Sequence, residues 1–319
     1  IRRPPRSTQG VSSAASDVYK RQILNNHKKT KEKIYQMKIA ILGAGAVGSY
    51  YGATLQKKGF DVTLICRGEH YKKIISSGLS IKSHWGDYKT KIIASDDVKE
   101  LDNFDVIFYT PKLYSNIETL PLLKNISNEK TIVITIQNGV NSHNEISRFI
   151  DRKQIIPAAT FIEAEIESPG VVLQQGSTAI VQMGCLEKAQ EKILQDLKNK
   201  FDSEFLSFKI SDDIFYTLWK KMIIVGAFGT IMTSFRMSFR ELIDSKYGEK
   251  ILSETMKEIK KDEKIKSIEN FCFGRDKIFM INVSRMTSFP PYSFDFDVIV
   301  ISGVYVFHCT CHYSVHPIS

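Results

Sequence analysis

An apolar strand running straight into three glycines constrains this chain more than anything else in it. Lys38–Leu42 (KIAIL) is short and apolar, and Gly43, Gly45 and Gly48 follow it directly as G-x-G-x-x-G. Ala46–Lys58 then has helical periodicity and ends at Gly59, and residues 61–66 (DVTLIC) make a second apolar run. That order predicts a β-α-β unit. Gly43 permits the tight turn, Gly45 lets backbone approach a pyrophosphate, and Gly48 lets the helix pack close to the strand. With Ala44, Ala46 and Val47 between them, these glycines present a helix N-terminus whose N–H groups and positive dipole end suit phosphate. Alone the motif is weak; in strand–turn–helix–strand context it points to a dinucleotide.

The end of the second strand bears on which dinucleotide. NAD-binding units usually place an acid there for the ribose 2′-OH. Here the text reads CRGEH, with Arg67 in that place. A guanidinium suits a 2′-phosphate in charge and in its paired donors. NADPH is therefore favoured over NADH, with Glu69 close enough to keep NAD open.

Two further apolar, β-branched runs, 105–110 (DVIFYT) and 131–137 (TIVITIQ), read as buried parallel strands. Ligands sit outside the carboxyl ends of such strands. Lys112 follows the first run and Asn138 the second, so both are placed to touch cofactor or substrate. Residues 160–166, 171–174 and 180–183 alternate apolar and polar residues and read as antiparallel edge strands, with a turn at 167–172 (ESPGVV). Residues 187–200 form an amphipathic helix.

From about Asp212 the period becomes helical. DIFYTLWKKMIIVGAFGTIMTSF reads as one long helix, with Asp212 or Asp213 as N-cap. No uninterrupted apolar run reaches the ~18 residues of a membrane span; the nearest, 222–235, contains Gly226 and Gly229 and reads as a buried helix. Lys220 and Lys221 interrupt the run about 100° apart. A lysine buried there loses basicity and can protonate a carbonyl on its way to an alcohol. Helices continue over 238–243 and 248–266.

Charge excludes one class of function. Residues 1–36 hold nine Lys/Arg against two Asp/Glu, whereas the whole chain is +9, so the remaining 283 residues carry only +2. Nothing there supports nucleic-acid binding. Residues 1–36 lack apolar periodicity and are expected to be a non-native or disordered leader, with Met37 as the native start. Five scattered Cys make no disulfide framework, and the reading is cytoplasmic. His308, Cys309, Cys311, His312 and His316 fit no standard zinc spacing, so no metal site is expected.

GAGAVG, the Arg of LICRGEH, the Lys of TPKLYS, the Asn of IQNGV and the Lys of LWKK stand together in an order that resembles the ketopantoate reductase (2-dehydropantoate 2-reductase) family. The resemblance spans roughly 37–260. It implies an α/β fold: a Rossmann domain with a doubly wound, mostly parallel sheet over 37–210, then an all-helical domain of 6-phosphogluconate dehydrogenase type over 211–319. It implies NADPH as hydride donor, a 2-keto acid as substrate, and a site between the domains. By position, Gly43, Gly45 and Gly48 would hold the pyrophosphate and Arg67 the 2′-phosphate. Lys112 and Asn138 would contact cofactor and substrate, and Lys221 would be the general acid. Partners are a small-molecule 2-keto acid, no nucleic acid and no membrane, with a homodimer left open. Two departures stand out. Val225 and Gly229 occupy places where the family commonly has Asn, and the tail after about 293 has no counterpart of the family's substrate-gripping Glu. A reductase of another 2-keto acid and a non-catalytic NADP-binding protein therefore stay open as alternatives.

Overall fold

The computed structural model describes residues 37–260, together with the backbone of two strands, Asp295–Ile301 and Val304–Thr310, that pair with each other in antiparallel register. The leader reading for 1–36, the end of the helix read over 248–266, and the His/Cys cluster lie outside the described residues or their described side chains.

Strands β1 (Lys38–Leu42), β2 (Asp61–Ile65), β3 (Leu79–Ser83), β4 (Tyr88–Thr90), β5 (Ile93–Ser95), β6 (Val106–Tyr109), β7 (Ile132–Thr135), β8 (Ile155–Ser168), β9 (Val171–Met183) and β10 (Ser207–Ile210) share one sheet. Its order is β4-β3-β9-β8-β7-β6-β1-β2-β5, with β10 also on β9. The six strands from β5 to β8 are parallel to their neighbours. The chain winds outward in both directions from β1, a doubly wound arrangement whose switch point lies between β1 and β6. Beyond β8 the character changes. β9 returns antiparallel to β8 around Pro169–Gly170, and β3 and β10 run parallel to β9 on its far side.

The sheet is covered on both faces. Helix α1 (Ala46–Lys58) lies against Ile41, Val62 and Leu64 on one face, in a core with Phe108, Phe201 and Phe208. Closeness is demanded by small residues: a Cβ on Gly48 would stand 2.8 Å from Thr110 Oγ1 and 2.9 Å from Ile41 Cγ2. The opposite face packs Leu42, Ile107, Tyr109 and Val133 against the short helices after β6 and β7. Helix α2 (Gly68–Ser77) follows β2, and Glu191–Phe201 forms a helix directly after a capping box of Glu187 and Gln190.

The long helix spans Ile214–Phe235, and Asp213 caps it by accepting from the Tyr216 N–H at 2.9 Å. By length and composition alone it could cross a bilayer, although Lys220 and Lys221 interrupt its apolar run. Here its first turns rest on the sheet, Ile214 and Leu218 packing with Ala159 and Phe161. Its later turns join a separate helical core of Ile223, Ala227 and Ile231 with Leu242, Leu252 and Met256. Those partners come from Phe239–Asp244, capped by a Ser238/Glu241 box, and from Gly248–Lys260.

One expectation is corrected. Residues 171–174 and 180–183 are not separate edge strands but the two ends of β9, which lies inside the sheet between β8 and β3. The polar, glycine-containing stretch between them stays in the strand as a bulge, where the register with β8 shifts between Ile162 and Glu163.

Candidate active site

Gly43 turns the chain out of β1 with φ +85°, where a side chain is strained. A Cβ there would stand 2.6 Å from Pro111 N, so the turn also presses on the loop after β6. The N–H groups of Gly43 and Ala44 both donate to Ile65 O, fixing the turn to the end of β2. Gly45 is different: a Cβ on it would meet only Gly43 O, at 4.0 Å. The protein itself leaves that position open, as a bound pyrophosphate requires. Gly45 is also the N-cap of α1, no side chain caps this helix, and its first turn carries no acid. An anion is what such an end accommodates.

Arg67 stands at the end of β2 as the N-cap of α2. Its guanidinium is exposed and donates to Glu118 at 3.0 Å. A pair so exposed is worth ~0–1 kcal/mol and yields readily to a phosphate.

The loops after β6 and β7 are locked together. Buried Gln137 donates through Nε2 to Pro111 O and to Asn116 Oδ1, each at 2.7 Å, and its Oε1 accepts from Ser142 Oγ at 2.5 Å. Asn116 Oδ1 also accepts from Tyr109 OH, and Asn116 Nδ2 donates to Glu145 at 2.5 Å. Both polar side-chain atoms of Gln137 are thereby engaged, which ties the two loops together. The residues after the two anchor points are Lys112 and Asn138. Sequence reasoning singled out those two and missed Gln137, although it stands beside Asn138 in the IQNGV motif.

Asn138 meets the long helix. Lys221 Nζ donates to Asn138 Oδ1 at 2.8 Å and lies 5.6 Å from the centre of the Phe161 ring. The side chain of Lys221 is half-buried, and burial lowers its pKa to about 8. Gln137, Asn138, Ala159, Leu218, Lys221, Met222 and Val225 line one cleft there. The structure therefore brings Asn138 and Lys221 together from sequence-distant elements, and places Gly43–Gly48 and Arg67 side by side on adjacent strand ends. Lys112 is exposed and stands outside the Lys221–Asn138 pair.

A second titratable group was not singled out from the sequence. Glu163 lies on β8 two residues beyond Phe161, while Ile162 and Ala164 between and after them pack into the core on the opposite face. Burial, and then the neighbouring Glu165, raise its pKa. The alternating pattern of β8 could have shown it, since an acid there falls on the face that takes Phe161.

The family model described as "Ketopantoate reductase PanE/ApbA" matches residues 39–188. The 2-dehydropantoate 2-reductase of Pyrococcus abyssi is 31% identical over 222 residues, covering 70% of this chain and 72% of that protein. The chain belongs to the ketopantoate reductase family. The enzyme of the same name from Pyrococcus horikoshii is 32% identical over the same shares. Among solved structures, D-mandelate dehydrogenase with NADH and anilino(oxo)acetate superposes with a TM-score of 0.69 at 27% identity, covering 74% of this chain and 76% of that one. A ketopantoate reductase from Ralstonia eutropha JMP134 gives 0.65 at 24%, over 73% and 76%, and shares the fold. The ketopantoate reductase family is one of oxidoreductases, and this chain has its doubly wound sheet followed by helices.

Proposed function

We propose that this protein is an NADPH-dependent reductase of a 2-keto acid, and that its reaction is the conversion of 2-dehydropantoate (ketopantoate) to pantoate in pantothenate and coenzyme A biosynthesis. The observation that carries the reading is Lys221. It is a half-buried, partly desolvated ammonium at the cleft, hydrogen-bonded to Asn138, which belongs to the carboxyl edge of the parallel sheet.

The residues present fit a dinucleotide phosphate, on the open position at Gly45 and the uncapped start of α1. In this reading Gly43, Ala44, Gly45, Ala46, Val47 and Gly48 hold the pyrophosphate, and Arg67 releases Glu118 to hold the 2′-phosphate. Lys112 and Asn138 bound the nicotinamide and substrate end. NADPH, when bound, supplies the hydride. Lys221 gives its proton to the substrate carbonyl oxygen and, before that, polarises it. A pKa of about 8 leaves it mainly protonated at neutral pH and yet more willing to donate than an ordinary lysine. Asn138 Oδ1 orients the ammonium, and the apolar walls from Ala159, Leu218 and Met222 limit water around the developing alkoxide. The protein works in the cytoplasm on a small molecule, as two domains with the boundary near residue 210.

A second reading changes only the substrate, to another 2-keto acid, and Val225 favours it. This valine lines the cleft and is 37% exposed, an apolar wall where the family resemblance expects an amide. The likeness to a mandelate dehydrogenase structure carrying NADH keeps NADH in play as donor.

The test is oxidation of NADPH and NADH on addition of ketopantoate, 2-ketoisovalerate or phenylglyoxylate. The fastest turnover with NADPH and ketopantoate is expected. Preference for either other acid sinks the ketopantoate assignment and selects the second reading. Tight NADPH binding with no turnover of any acid makes the protein a non-catalytic NADP-binding one.

A further inference from the structure

Beneath the phosphate-binding turn lies a run of buried hydrogen bonds that no chemical step uses. Ser49 is fully buried and His70 is 9% exposed. The N–H of Gly170, in the turn between β8 and β9, donates to His70 Nδ1 at 3.1 Å. A ring nitrogen that accepts carries no proton, so the proton is on Nε2. Nε2 stands 3.0 Å from Ser49 Oγ, and Ser49 Oγ donates to Ala44 O at 3.1 Å. Burial lowers the pKa of His70, in keeping with a neutral ring. The direction of every bond follows: Gly170 N–H to His70, His70 N–H to the Ser49 hydroxyl, and the hydroxyl to the Ala44 carbonyl.

That carbonyl matters because of its peptide group. The Ala44–Gly45 peptide has its carbonyl held by Ser49 and its N–H held by Gly43 O at 2.7 Å. With the carbonyl turned inward, its lone pairs point away from the open space over Gly45. Were the peptide to rotate, a carbonyl oxygen would confront whatever anion occupies that space. We propose that His70 is a positioning residue for cofactor binding: acting through Ser49, it keeps the Ala44 carbonyl out of the pyrophosphate site. This inference rests on the reading that a dinucleotide binds there.

The test separates the two ring nitrogens. In His70→Gln the amide N–H can take the place of Nε2 and still donate to Ser49. In His70→Asn the amide oxygen can replace Nδ1 and keep Gly170, but Ser49 loses its donor. Dissociation constants would be measured for NADPH, NADH and adenosine 2′-monophosphate, a probe with no pyrophosphate, on these variants, Ser49→Ala and Arg67→Ala. The expected result is a loss of about tenfold or more in affinity for both dinucleotides in His70→Asn and Ser49→Ala, recovery within about threefold of wild type in His70→Gln, and unchanged binding of adenosine 2′-monophosphate in all three. Arg67→Ala should do the reverse to the probe. Equal losses in the Gln and Asn variants, or no loss in either, overturn the proposal while leaving the cofactor reading intact. Failure of the wild type to bind either dinucleotide overturns both. Should the Asn variant not fold, the ¹⁵N spectrum of the wild-type histidines decides: a proton on Nδ1 of His70 overturns the proposal.

Discussion

A lysine ammonium partly withdrawn from water is less stable as a cation, and half-buried Lys221 shows the consequence. Its pKa falls to about 8 in the folded protein, from 10.5 in the unfolded chain. The folded state thus binds its proton less tightly than the unfolded one. The stability cost is fully present below pH 8 and fades as pH rises from about 8 toward 10.5. Lys221→Met should therefore melt at a higher temperature than wild type at pH 7, while turnover falls ~10²–10⁴-fold. In the wild type, kcat/KM should decline above about pH 8, and a profile flat to pH 10 would remove Lys221 from the chemistry. Glu163 carries the opposite sign. Its pKa is raised, so it favours the folded state below its unfolded pKa and loses that contribution as pH rises through the folded value. Glu163→Gln should accordingly raise the melting temperature at pH 7, with the gain vanishing near pH 4. From the sequence, two adjacent lysines on an apolar helix showed that one must face a distinct environment. The helix alone could not say which, because the deciding partner, Asn138, is 83 residues away.

At the level of elements, the first β-α-β unit was legible almost to the residue. Lys38–Leu42 and Ala46–Lys58 have the bounds their sequence suggests. Apolar runs, a glycine turn and helical periodicity are local signals, and here the fold agrees with each. The strands Leu79–Ser83, Tyr88–Thr90 and Ile93–Ser95 were not legible. They are short, carry polar residues and owe their pairing to distant partners such as Val171–Gln174. The glycines of the motif separate stability from binding. Gly43→Ala puts a methyl against Pro111 at a positive φ, and should lower the melting temperature. Gly45→Ala brings its methyl no nearer than 4.0 Å to anything beyond its immediate chain neighbours, so it should melt like the wild type yet bind NADPH at least tenfold more weakly. Thermal melts beside a nicotinamide-fluorescence titration distinguish these outcomes; a Gly45→Ala variant with wild-type affinity would mean that nothing approaches the backbone there.

For the whole molecule, the candidate site exists only where the sheet and the long helix meet. Ile214 and Leu218 dock the start of that helix on Ala159 and Phe161, and one turn later Lys221 reaches Asn138. Asn138 is in turn held by the Gln137 lock at the end of β7. Sequence reasoning could place each residue at a strand end or on a helix, but the contact between them belongs to tertiary packing. A double-mutant cycle measures it. Asn138→Ala should lower kcat by removing the acceptor that orients the ammonium, and Lys221→Met should lower it further. If the amide acts through the lysine, Asn138→Ala in the Lys221→Met background should change kcat by no more than about twofold, a non-additivity of one to a few kcal/mol. Additive losses would mean that Asn138 serves the cofactor alone, and the sheet and the helix would then contribute to catalysis independently.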